Sequence, residues 1–170
     1  MNLRPSLIIL LTYLSLCSPT AATTFDEDEY TLLELQYKRY SLINGMECYI
    51  QNGDIYILLD DIVSALELNI TVSSDDARGY LTPKNIAFAL EHKLDSWFLT
   101  YQNETTQIGN DDIVSHDGFI YVREKRIEQW FGIKFSLTYS ELELNFTASQ
   151  SIPAVERLKR QNRAIGSQHS

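Results

Sequence analysis

The sequence predicts an α+β fold: a mainly antiparallel sheet carrying two short helices, built from a strand–strand–helix–strand unit that occurs twice. The first observation behind this is a repeat. Asn52-Gly53-Asp54-Ile55-Tyr56-Ile57-Leu58 is followed by Ile62, Ala65, Leu66, Leu68, Ile70 and Val72. Sixty-five positions later, Asp117-Gly118-Phe119-Ile120-Tyr121-Val122-Arg123 is followed by Ile127, Trp130, Phe131, Ile133, Phe135 and Leu137. The second observation is that apolar residues elsewhere recur mostly with period two, the mark of half-buried strands. The third is that both helical patterns last about two turns, too short to stand alone, so each must dock on a sheet.

The elements follow in chain order. Leu33, Leu35 and Tyr37 alternate with Glu34, Gln36 and Lys38, which predicts a strand, and Ile43-Asn44-Gly45 predicts the turn that ends it. Met46–Ile50 and Ile55–Leu58 flank Asn52-Gly53, the pair that supplies the two positive φ angles of a type I′ hairpin turn. Asp60 is placed to cap a helix reaching Leu68, with Ile62, Ala65 and Leu66 on one face. Asn69–Val72 is β-branched and reads as a strand, and the polar run 73–79 reads as a turn. Ile86, Phe88 and Leu90, then Trp97, Leu99 and Tyr101, predict a hairpin over 86–102, followed by a loop from Asn103 to Asn110. The second copy's helix spans Glu124 to Phe131, with Gly132 as its left-handed terminator. Ile133, Phe135 and Leu137, then Leu142, Leu144 and Phe146, alternate as its closing strands.

The start of the chain gives an address. Arg4 is the only charge before Asp26, Leu7 to Cys17 is apolar, and Ser18-Pro19-Thr20-Ala21-Ala22 is a small-residue exit. This is the pattern of a secretory signal peptide over residues 1–22, and the run falls short of the roughly 20 apolar residues a bilayer span needs. Leu14-Ser15-Leu16-Cys17 offers an alternative, lipidation at Cys17, against which Leu16 stands where a small residue is expected. Cleavage after Ala22 leaves Cys48 as the single cysteine, so stability must come from a packed core and not from an internal disulfide. The expected organisation is signal 1–22, a disordered acidic leader 23–30, the duplicated domain 31–150 with copies at about 46–73 and 112–147 and the hairpin 86–102 between them, and a basic tail 151–170. The protein is expected to be periplasmic or secreted.

Composition and motifs exclude more than they identify. A chain of net charge −9 argues against nucleic-acid binding, which needs Lys and Arg facing phosphates. His92, His116 and His169 sit in unrelated contexts, and no zinc, P-loop, Rossmann or nucleophile-elbow pattern occurs. Asp60-Asp61, Asp75-Asp76 and Asp111-Asp112 read as caps or solvated turns, and the EF-hand spacing is absent. Cys48, with no base beside it in sequence, reads as a buried inert thiol. Trp130 shares an apolar helical face with Ile127 and Phe131 and reads as core, whereas Trp97 is left as a candidate sugar-stacking face. Asn69, Asn103 and Asn145 fit the glycosylation acceptor rule and read as unmodified unless the source is eukaryotic. No catalytic, cofactor, metal or binding residue is assigned.

The order of these signals resembles the N-terminal periplasmic region of bacterial outer-membrane usher-like proteins of fimbrial assembly. The matching residues are the first strand to Asn44-Gly45, the Asn52-Gly53-Asp54-Ile55-Tyr56 hairpin, the helix ending near Leu68, the Phe88-x-Leu90 hairpin, Gly118-Phe119-Ile120-Tyr121-Val122 and Gln129-Trp130-Phe131-Gly132-Ile133. Ile152-Pro153-Ala154 to Arg163 resembles the link into that family's barrel, and the half-repeats resemble the copper-amine-oxidase N-terminal-like stalk module, which carries no copper and no catalytic residue. This sequence ends at Ser170, so the expectation is a domain without the pore, either free-standing or a fragment of a longer protein. The resemblance implies a non-enzymatic module that binds an envelope or pilus-assembly protein. The strand Leu142 to Phe146 is the expected open edge for a partner strand, unless the first strand, Leu32 to Tyr40, caps it, which would leave the acidic loops as the contact surface. The rival is a cell-wall or glycan-binding module using Trp97 and exposed tyrosines.

Overall fold

The structure, a computed structural model, describes residues 24–81 and 84–167. The proposed signal peptide, Cys17 and His169 lie outside the described residues. The architecture is α+β, with twelve strands in two sheets, three α-helices and one short 3-10 turn among the described residues. Two helices were expected; the third, α3 (Pro153–Ser167), arises where the sequence reads as a basic tail. Pro153 opens it, a position where the missing N–H costs nothing, and Ile152, Ala154 and Val155 are buried.

A seven-stranded sheet has the order β11-β12-β1-β2-β3-β10-β9. Its members are β1 (Tyr30–Tyr37), β2 (Tyr40–Gln51), β3 (Asp54–Leu58), β9 (Ile113–His116), β10 (Phe119–Arg123), β11 (Ile133–Thr138) and β12 (Glu143–Ala148). All pairings are antiparallel except β1 with β12. The second sheet, β4-β5-β6-β7-β8, is a purely antiparallel meander of β4 (Asn69–Val72), β5 (Asp76–Leu81), β6 (Ile86–Lys93), β7 (Ser96–Tyr101) and β8 (Glu104–Ile108). The helices α1 (Leu59–Ala65) and α2 (Glu124–Phe131) each follow a strand of the first sheet. Buried residues from both sheets, from α1 and α2 and from the start of α3 form one continuous core.

Several elements depart from the sequence reading. Strand β2 runs through Ile43-Asn44-Gly45, which lies in an irregular stretch of the β1–β2 register, and the true turn is Lys38-Arg39. The polar run at 73–79 holds the start of β5, because Ala77 is buried and Gly79 lets β4 approach. Residues 104–108 form β8, whose polar residues lie on an exposed edge and so give no apolar alternation. Helix α1 starts at Leu59 without a side-chain cap, so Asp60 does not cap it.

The acidic leader is ordered from Thr24 onward. Phe25 stacks on Tyr49 with ring centroids 4.2 Å apart and meets Tyr56 and Tyr121 edge-on. Strand alternation sends Tyr49, Tyr56, Leu58, Val114 and Tyr121 to the sheet face opposite the main core, and Phe25 closes that second cluster. The acidic residues that follow form a 3-10 turn, Glu27–Glu29, in which the Asp26 amide donates to Glu29 Oε2.

The two hairpins share a register. In β2–β3 the partners are Cys48 with Ile57, Tyr49 with Tyr56 and Ile50 with Ile55; in β9–β10 they are Ile113 with Val122, Val114 with Tyr121 and Ser115 with Ile120. Each residue of the second set lies sixty-five positions after its counterpart. The correspondence stops after the helices, for β4 enters the five-stranded sheet and β11 stays in the seven-stranded one.

Candidate interaction surface

A binding surface built on strand addition needs backbone donors that face out of a sheet unmet. Strand β12, the expected edge, is interior: it pairs with β11 on one side and with β1, in parallel, on the other. The first strand thus caps it, the arrangement weighed as the alternative. The sheet ends are β11 and β9 in one sheet and β4 and β8 in the other.

Strand β11 is guarded. The outward Phe135 amide donates to Glu128 Oε1 at 2.7 Å, and Lys134 sits 3.6 Å from the other oxygen of that carboxylate. A helix side chain therefore occupies the donor that an incoming strand would take. Strands β9 and β4 have four residues each, and β4 lies against the Cβ-free face of Gly79.

Strand β8 is different. Glu104, Thr105, Thr106 and Gln107 are all exposed, and only Ile108 reaches the core. Tyr101 and Glu104 flank a two-residue turn at Gln102-Asn103, both with positive φ, so ladder bonds to β7 fall at residues 104, 106 and 108. Thr105 and Gln107 therefore turn their amides outward. No side chain among the described residues meets these amides. The threonines are β-formers and carry no charge to repel a partner.

The other residues singled out in the sequence fall into structural roles. Trp97 is 3 % exposed and tilts against His92 with centroids 4.9 Å apart, so it offers no stacking face to a sugar. Trp130 is buried edge-on to Phe88 of the five-stranded sheet. Cys48 is fully buried, its thiol pointing at the Met46 carbonyl, and burial pushes its pKa well up. His92 and His116 lie in different sheets. Asn69 is on edge strand β4, Asn103 in the β7–β8 turn and Asn145 in interior strand β12.

The acid pairs are not all solvated turns. Asp61 accepts the Glu47 amide at 2.9 Å, and burial raises its pKa despite that bond. Glu124 likewise accepts the Ile55 amide at 2.8 Å and is raised by burial. Asp112 lies 3.3 Å from Arg123 Nη1 and 2.7 Å from Arg126 Nη2, so its charge is met by two guanidinium groups. Asp76 stays with the turn reading, bonded to Ser73 and Arg78, bonds that hold its pKa down. The two helix carboxylates, Asp61 and Glu124, lie 14 and 69 positions along the chain from the amides they accept, which is why sequence inspection misses them.

No helix among the described residues is long and apolar enough to cross a membrane. Comparison of the chain with protein-family models, with curated proteins and with solved structures finds no match.

Proposed function

We propose that this protein is a non-enzymatic interaction module of the bacterial envelope, related to usher N-terminal regions, that captures an extended segment of an envelope or pilus-assembly protein along β8. The single observation that supports this reading is the open edge of β8, which presents the outward amides of Thr105 and Gln107 beside the exposed, uncharged side chains of residues 105–107. Main-chain hydrogen bonds of an added strand would supply affinity there, and the exposed side chains would supply selectivity. The glycan-binding alternative loses its leading residue with the burial of Trp97.

The duplicated unit belongs to the same proposal. The shared hairpin register, and the placement of α1 and α2 after equivalent strands, support an ancestral copying of about residues 48–66 into 113–131.

The test is a comparison of two captures with the chain lacking its first 22 residues. Incubated with periplasmic extract from a piliated bacterium, it is expected to retain pilin or chaperone subunits identified by mass spectrometry. Co-sedimentation with purified peptidoglycan in the absence of any such subunit would overturn the reading.

A further inference from the structure

The acidic charge of this protein is not spread evenly, and most of its cations are matched to acids. Arg78, Lys93, Arg123, Lys125, Arg126, Lys134 and Arg157 each lie within ion-pair distance of an Asp or Glu. Lys38 and Arg39 make no ion pair among the described residues. They form the β1–β2 turn and face the exposed side of α3 across a cleft of about 380 Å³. Its lining is Tyr37, Lys38, Arg39 and Tyr40 from the turn and Leu158, Lys159 and Asn162 from the helix, with no carboxylate among them.

The lining is organised around a phenol. Arg39 Nη2 donates to the Tyr40 oxygen at 3.3 Å, and Asn162 lines the cleft beside it; the Arg39 bond, with the nearby Asn162 amide and the Arg39 charge, holds the Tyr40 pKa below its ordinary value. A hydroxyl that accepts from a neighbour keeps its own proton to donate elsewhere. Lys38 lies over the Tyr37 ring and Arg39 over the Tyr40 ring, at 5.6 and 5.4 Å from the centroids, which orients both cations. Lys159 contributes less, because it is paired with Glu156 at 2.8 Å; Arg163 follows one turn later on the same helix. The cleft thus offers two unneutralised cations, a phenol donor and an amide, with Leu158 as an apolar wall.

We propose that this cleft is a phosphate-binding site, taking the phosphate of an anionic lipid headgroup or of a soluble phosphate ester. Three features favour phosphate. A guanidinium and an ammonium stand beside a neutral O–H donor, which suits an acceptor with several oxygens. The lining holds donors without a competing carboxylate. The chain as a whole carries a net charge of −9, so anion binding depends on local unpaired cations such as these, which act within a screening distance of about 8 Å at physiological salt. The inference is independent of the β8 edge, which lies in the other sheet.

The probes are inorganic phosphate, followed by backbone and side-chain NMR of the chain lacking its first 22 residues, and vesicles of phosphatidylglycerol or of phosphatidylcholine, followed by sedimentation. Phosphate is expected to shift the resonances of Tyr40, Arg39 and Asn162 saturably, with an affinity that falls as salt rises. The double variant Lys38→Gln/Arg39→Gln is expected to weaken binding about 25-fold, since each basic group near an anionic surface contributes about a factor of five. Tyr40→Phe, which removes only the hydroxyl, is expected to weaken it without changing the thermal midpoint, and Lys93→Gln is expected to change nothing. Sedimentation with phosphatidylglycerol but not phosphatidylcholine assigns the site to lipid; phosphate shifts without sedimentation assign it to a soluble ester. Absence of both responses, or equal binding by a folded double variant, overturns the proposal.

Discussion

Ile57 and Val122, sixty-five positions apart, are Cα partners across the β3–β10 ladder, and both are fully buried. The pairs on either side are Leu58 with Tyr121 and Tyr56 with Arg123, so each hairpin meets the other's equivalent strand in reversed order. The same exchange is seen in side chains. Tyr56 donates its hydroxyl to the Asp111 carbonyl at 2.8 Å, and Tyr121, its counterpart, donates to Glu47 Oε2 at 3.4 Å, one hairpin reaching into the other in both directions.

Replacement of Trp130 by alanine is expected to cost about 3–5 kcal/mol in urea unfolding, because the ring fills the space between α2 and Phe88 of the five-stranded sheet. A loss below about 0.5 kcal/mol is the range of surface positions and would contradict its place in the core.

Gly79→Ala is expected to destabilise by about 1–3 kcal/mol, because a Cβ there would collide with the Asn69 carbonyl and the Ile70 backbone, which cannot swing aside as a side chain can. Amide exchange should report the damage locally, with faster exchange in β4 than in β1–β3. Uniform loss of protection would argue against a local backbone clash.

Proline at Thr105 is expected to leave the domain folded and to reduce partner capture, since it removes an outward donor. Proline at Thr106 removes a ladder donor to β7 and should lower the thermal midpoint. If the two substitutions behave alike in both measurements, the assignment of β8's inward and outward amides is wrong.

The carboxyl of Asp61 has its pKa raised by burial, then by the Glu47 and Asp60 charges. A carboxyl raised in the folded state binds protons more readily there than in the unfolded chain, so its contribution is fully present below the ordinary carboxylate range and is lost as pH rises through its folded pKa. Asp61→Asn keeps an acceptor for the Glu47 amide and carries no charge. Its stability relative to the parent is therefore expected to be greatest at neutral pH and to shrink on acidification through the carboxylate range. A difference that stays constant from neutral pH to pH about 3 would show that charge burial at Asp61 is not the cause.

Sequence pattern reveals an element when burial is one-sided and local. Helix α2 spans Glu124–Phe131 and ends at Gly132 with φ 62°, as its apolar face and glycine predict. The Asn52-Gly53 turn has φ values of 53° and 88°, as a type I′ turn requires. Strand β8 escapes because an exposed edge buries one residue in five and leaves no alternation to read. Helix α3 escapes because its buried residues, Ala154 and Val155, crowd into its first turn beside Ile152 just before it, and the remainder carries the charges of a solvated tail. The order of the leader depends on one side chain, Phe25, whose ring partners lie on four strands. The phosphate cleft is invisible for the same reason: Lys38-Arg39 and Lys159–Asn162 are brought together only by the fold.

The parallel pairing of β1 with β12 sets the order in which this chain can fold. Glu34 lies opposite Glu143, so β1 waits for a strand far later in the chain before its second edge is satisfied. Contacts of such long sequence separation slow folding, because the loop must close before the ladder rewards it. A chain emerging from a ribosome therefore carries β1 half-paired until Glu143–Phe146 are free to join it.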